Sequence, residues 1–150
     1  MQTVKNFLIQ AFYVAPVLWL FEVLQNKIFA LFTGTYGWIY PASSYHWFTF
    51  ETIPNWGLSV IVIAAMYRYL FDSRQTPFLM RLLIVALTGF TLEWINGYLY
   101  NAVTGSPLFF WPGSAMVYID FIAFPMWIVN ALIYHLMAVT LIDLQKKNQG

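Results

Sequence analysis

The chain has no cysteine, only two histidines, and thirteen charged side chains among 150 residues. Without cysteine there is no disulfide, thiol nucleophile or thiolate metal site. His46 and His135 have no second histidine or carboxylate at helical ligand spacing, so no metal is expected. They are also predicted near opposite faces of a membrane, which leaves haem without its paired ligands. Charge is equally scarce: 9% of residues, against about a quarter in an ordinary soluble domain. The seven Lys and Arg are scattered and form no basic stripe, which excludes nucleic acid as a partner. A G-x-S-x-G elbow, a phosphate-binding loop, a dinucleotide glycine fingerprint and H-E-x-x-H are all missing, and no cofactor is expected.

What is present is apolar surface. Hydrophobic residues make up 61% of the chain and aromatic residues 21%. Thirteen charges could not cover a water-soluble domain of this size, whereas lipid asks for an apolar exterior. Four stretches approach the roughly 20 residues that cross a bilayer: Phe7–Phe32, Ile53–Phe71, Phe78–Asn101 and Tyr118–Leu141. The first is too long for a signal-peptide core and lacks a small-residue cleavage site. Pro16 inside it predicts a kink that a bilayer helix tolerates. Lys5, Arg68, Arg74, Arg81, Lys146 and Lys147 flank one set of helix ends, while the connections 33–52 and 104–117 hold no Lys or Arg. The positive-inside rule then places both termini and the polar turn Asp72–Pro77 in the cytoplasm, giving a multi-pass membrane protein. The outer connections are aromatic instead: Tyr36, Trp38, Tyr40, Tyr45, Trp47 and Phe48 in one, Phe109, Phe110 and Trp111 in the other. They suit either an interfacial aromatic belt or a lid over a site.

The sequence is also one unit written twice. A shift of 71 aligns residues 7–72 with 78–143 without a gap, and fifteen of the 66 pairs are identical. Chance would give roughly four at this composition. The identities include Glu22/Glu93, Thr33-Gly34/Thr104-Gly105, Pro41/Pro112, Ser43/Ser114, Pro54/Pro125, Trp56/Trp127 and Asp72/Asp143. The glycines suit left-handed helix ends, and the prolines suit first helical turns. The expected fold is therefore all-α: one integral membrane domain over 1–150, a four-helix transmembrane bundle made by tandem duplication of a hairpin. Each hairpin has two spans, so both insert the same way up, related by a pseudo-twofold axis along the membrane normal.

Glu22 and Glu93 lie inside the first and third spans. A carboxyl there costs about 2.5 kcal/mol or more to insert, so it faces protein or a water-filled cavity. Gln25 and Asn96 follow three residues later on the same helical faces, with Phe29 and Tyr100 a turn beyond. Ser59 and Asn130 occupy aligned positions on the even helices. Such groups either glue helices by hydrogen bonds or build a site in which two carboxyls meet near the axis. The halves differ at Lys27, opposite Tyr98 and near the outer interface, and at Asp120, opposite Thr49.

The run Glu93-Trp94-Ile95-Asn96-Gly97-Tyr98-Leu99-Tyr100-Asn101-Ala102-Val103-Thr104-Gly105, followed by Phe110-Trp111-Pro112, resembles small bacterial multi-spanning proteins. These are the carotenoid hydratase-like enzymes and the CmpB-like transporter-type family. The likeness covers about 35 residues per copy. It implies a bacterial inner membrane and a hydrophobic substrate entering from the bilayer, with Glu22 or Glu93 as acid.

The expectation is a protein that binds, and in an enzymatic version modifies, a lipid-like or isoprenoid-like molecule between the copies. Glu93, Glu22 and Asp120 are the candidate catalytic groups. Gln25, Asn96, Asn130, Ser59, Tyr100, Trp127 and His46 are candidate substrate contacts. The expected partners are the lipid bilayer and that ligand, with a homo-oligomer or hetero-complex left open. Two alternatives stand beside it: a transporter or channel subunit handling protons or ions through the glutamates, and a structural subunit of a membrane complex.

Overall fold

A computed structural model of the chain describes residues 2–71 and 74–147, and side chains within 4–71 and 74–140. Asp72 and Ser73 of the expected turn lie outside the described residues, as do the side chains of Asp143, Lys146 and Lys147. Four helices follow in order: α1 (Gln2–Thr33), α2 (Ile53–Met66), α3 (Phe78–Thr104) and α4 (Ala123–Lys147). A π-helical turn, Tyr67–Phe71, prolongs α2 to the end expected for that span. Among the described residues the only β pairing is an isolated bridge between Ile39 and Phe110.

Among the described residues three helices are long and apolar enough to cross a membrane: Val4–Thr33, Phe78–Thr104 and Ala123–Thr140. They fit an integral membrane protein. Large apolar side chains such as Phe12, Leu31, Phe32, Val103 and Phe121 are more than 70% exposed, as a lipid-facing surface requires. The second expected span, Ile53–Phe71, is not among them: its α-helical part has 14 residues, about 21 Å long at 1.5 Å per residue, against the ~30 Å hydrocarbon layer. It starts at Ile53 as expected, after a 3₁₀ turn at Phe50–Thr52, and continues to Phe71 with wider pitch from Tyr67. The fourth helix starts at Ala123 rather than Tyr118, because Tyr118 belongs to the preceding loop. The first helix continues through Pro16 without interruption.

Helix α1 packs mainly on α2, and α3 mainly on α4; α1 also meets α4, and α2 meets α3. Val14, Ala15, Val85 and Ala86 are all at most 2% exposed, small residues that let the helices approach closely at the centre.

Local structure recurs at the 71-residue spacing. Gly34 and Gly105 close α1 and α3 with φ of 80° and 76°, and each amide donates to the carbonyl four residues back, both at 2.9 Å. The loops after them share one hydrogen-bond pattern. Tyr40 N donates to His46 O at 2.9 Å, as Trp111 N does to Val117 O at 2.7 Å. The Ser43 hydroxyl donates to Phe48 O, and the Ser114 hydroxyl to Ile119 O. Ile39 and Phe110, themselves equivalent positions, exchange both backbone hydrogen bonds at 2.9 and 3.0 Å. The loops thus clasp each other directly above the bundle centre. Trp38, Tyr40, Phe109 and Trp111 are buried beneath the clasp, whereas Tyr45 on the outside is exposed.

Candidate functional site

Beneath the joined loops lies a cavity of about 50 Å³, lined by Glu22 of α1 and Glu93 of α3. At roughly 10–15 Å³ per water centre it holds a few waters, or the polar end of a larger molecule. Its walls come from matching positions of the two halves: Glu22 with Glu93, Gln25 with Asn96, Trp38 with Phe109, Thr52 with Ala123, Asn55 with Met126, Trp56 with Trp127, and Ser59 with Asn130. Trp111 also faces it.

The carboxyls are held by aromatic donors. Glu22 accepts hydrogen bonds from the Tyr40 hydroxyl and the Trp56 indole N–H, one on each oxygen. Tyr40 Oη in turn accepts from Trp38 Nε1 at 2.9 Å, so an indole, a phenol and a carboxyl form one chain. Burial, with the facing Glu22 carboxyl behind it, holds the Tyr40 phenol well above its ordinary pKa. It therefore remains a proton donor at physiological pH. Glu93 accepts from Trp127 Nε1 at 2.6 Å through Oε2. Trp127 reaches it by lying across Gly89, where a Cβ would run into the indole ring. The indoles of Trp56 and Trp127 meet at the centre, ring centroids 5.1 Å apart. Trp38 and Trp111 pack at 5.0 Å above them.

The amides behave differently on the two flanks. Gln25 of α1 donates through Nε2 to Asn130 Oδ1 of α4 at 3.0 Å, which closes that side. On the α2–α3 side, Asn55, Ser59 and Asn96 line the cavity and make no side-chain hydrogen bond among the described residues.

The structure brings together seven of the residues singled out from sequence: Glu22, Gln25, Ser59, Glu93, Asn96, Trp127 and Asn130. It does not bring Asp120, His46 or Tyr100 to them. Asp120 Oδ1 accepts from the Ile122 amide at 3.1 Å, fixing the turn before α4, as the Thr49 hydroxyl does for Glu51 before α2. His46 is exposed in the outer loop with its Nδ1 3.4 Å from Tyr40 O. Tyr100 packs against the outer edge of the core. Lys27 stands 3.7 Å from the centroid of the Trp47 ring, a cation–π contact. His135 receives Tyr67, whose Oη is 2.9 Å from its Nδ1.

Sequence reasoning did not single out Trp38, Tyr40, Trp56 and Trp111 as site residues, nor Asn26, which is fully buried. Asn26 Nδ2 donates to the carbonyls of Trp38 and Trp47, and its Oδ1 accepts from the Gly37 and Trp38 amides. It ties the first loop to α1 and so fixes Trp38 and Tyr40 over the cavity. The signal for Trp56 was its identity with Trp127. Asn26 had no such signal, since its counterpart is Gly97.

Compared with protein-family models, with curated proteins and with solved structures, the chain matches none.

Proposed function

We propose that this is a membrane protein whose two equivalent hairpins enclose a site for the polar end of a lipid-like or isoprenoid-like molecule. Both hairpins insert the same way up about a twofold axis along the membrane normal, with the termini and middle turn in the cytoplasm. The reading is supported by one observation above all. Two carboxyls from helices expected to cross the bilayer converge on a single cavity, roofed and walled by indoles and open in hydrogen-bonding terms on one flank. The backbone bridge between Ile39 and Phe110 and the Trp56–Trp127 contact are what a dyad between the halves requires. A cavity of about 50 Å³ admits a head group, and the tail would remain outside it, against lipid. This agrees with the resemblance to carotenoid hydratase-like and CmpB-like proteins.

The test is extraction of the protein purified from mild detergent, followed by mass spectrometry. One hydrophobic species is expected in stoichiometric amount, and Glu93→Gln should deplete it several-fold. Recovery of bulk lipid only, unchanged by the substitution, overturns the reading. A second reading draws on the same small volume: a few waters between two carboxyls also suit proton transfer across the bilayer. Proton flux into liposomes that both Glu22→Gln and Glu93→Gln abolish would select it instead.

A further inference from the structure

The first half already holds a hydroxyl between an indole N–H and a carboxyl, because Trp38 donates to Tyr40 and Tyr40 donates to Glu22. At the equivalent positions the second half has Phe109 and Trp111. The phenol is therefore absent beside Glu93, but an indole N–H is not. Trp111 is 5% exposed and lines the same cavity as Glu93; its N–H bears on the Glu93 carboxyl, yet at no distance and angle that make a hydrogen bond among the described residues. Glu93 for its part uses Oε2 for Trp127, and Oε1 has no hydrogen bond there. An unmet buried donor is costly, and a ligand supplying its acceptor would recover that cost.

We infer that the part of the cavity beside Trp111 Nε1 and the Glu93 carboxyl is a subsite for the hydroxyl of an alcohol-ended apolar molecule. The hydroxyl oxygen accepts from Trp111 and its proton is donated to Glu93, the two bonds that Tyr40 makes with Trp38 and Glu22. Other head groups match less well. An ammonium cannot accept from the indole, an ether cannot donate to the carboxyl, and a lipid carboxylate would face Glu93. Asn55, Ser59 and Asn96, unbonded on the α2–α3 flank, extend the polar wall of the same cavity. The inference rests on the cavity reading above and narrows it to alcohols.

The experiment titrates the full-length protein in lipid nanodiscs with farnesol, its methyl ether and the parent hydrocarbon, read by tryptophan fluorescence. Farnesol is expected to saturate the signal at a concentration about tenfold or more below the ether, since a site built to bond a hydroxyl rejects analogues lacking it. Trp111→Phe should remove that preference. Equal binding of alcohol and ether, or a preference that survives Trp111→Phe, overturns the hydroxyl subsite and leaves that part of the cavity to water, with the wider cavity reading intact. Failure of all three probes to saturate overturns the cavity reading itself and the inference with it. Should Trp111→Phe not fold, the double variant Phe109→Trp/Trp111→Tyr takes its place. It rebuilds the internal hydroxyl of the first half and should show no alcohol preference.

Discussion

The two halves use one backbone to hold opposite kinds of site. In the first half the loop and the glutamate beneath it are satisfied internally. Asn26 binds the loop through four backbone partners, and Glu22 has a donor on each oxygen. In the second half the loop is seated by packing instead. Gly97 leaves room for the Tyr118 ring, and a Cβ there would strike it. Glu93 keeps one donor, and a neighbouring indole N–H goes unmet. Two chemically equivalent carboxyls thus diverge through substitutions in the loop above them. The first half is built for rigidity, and the second leaves bonding capacity for something else.

The sharpest way to break this comparison is Asn26→Ala. It strands two amides and two carbonyls in a buried place and should cost about 3–5 kcal/mol in reversible denaturation from mixed micelles. If it costs under about 1 kcal/mol, the first loop is not held by polar contacts. Next come the glutamates taken separately. Glu22→Gln places an amide where two donors converge and should destabilise by about 2–3 kcal/mol. Glu93→Gln, with one donor to satisfy, should cost about 1 kcal/mol or less while losing the co-purifying ligand. Equal losses of stability would erase the distinction between a structural and an open carboxyl. The packing side of the contrast is tested by Gly97→Ala, expected to lower stability by about 1–3 kcal/mol as Tyr118 is displaced. A neutral result in the same denaturation assay would mean that the second loop tolerates another seat.

The smallest effect concerns backbone strain. His46 and Val117 are equivalent and both adopt positive φ, 59° and 63°. A β-branched residue is poorly suited to that region, whereas Asn tolerates it. Val117 is 42% exposed, so Val117→Asn sacrifices little burial and should raise the melting temperature by a few degrees, worth about 1 kcal/mol. The same change at His46 should move it less.

Several features were legible in the residues. Periodic apolar runs ended by Thr-Gly and begun near proline marked the helices, because glycine can turn left-handed and proline needs no amide partner in a first turn. The polar positions at helical spacing from Glu22 and Glu93 marked one wall of the cavity, since spacing fixes which side chains share a face. Asp120 and His46 lie outside the lining of this cavity for the opposite reason. Both lie in loops, where no period relates sequence distance to direction, and Asp120 is occupied by the backbone of its own turn. The start of α2 at Ile53 was legible, whereas composition could not show that its last turn would change pitch at Tyr67.

The sequence by itself determined that the chain is helical and suited to a bilayer, that residues 7–72 align with 78–143 at a shift of 71, and that a carboxyl falls at matching positions of two apolar helices. These follow from composition, period and self-alignment, which are properties of residues in order. Only the tertiary structure decided that the aromatic loops fold inward, that indoles rather than basic groups meet the carboxyls, and that one carboxyl is satisfied while the other is not. Those outcomes depend on contacts between residues far apart in the chain, 34 positions for Trp56 with Glu22 and 71 for Ile39 with Phe110. Side-chain donors and acceptors find partners by distance in space, and no local pattern encodes that distance.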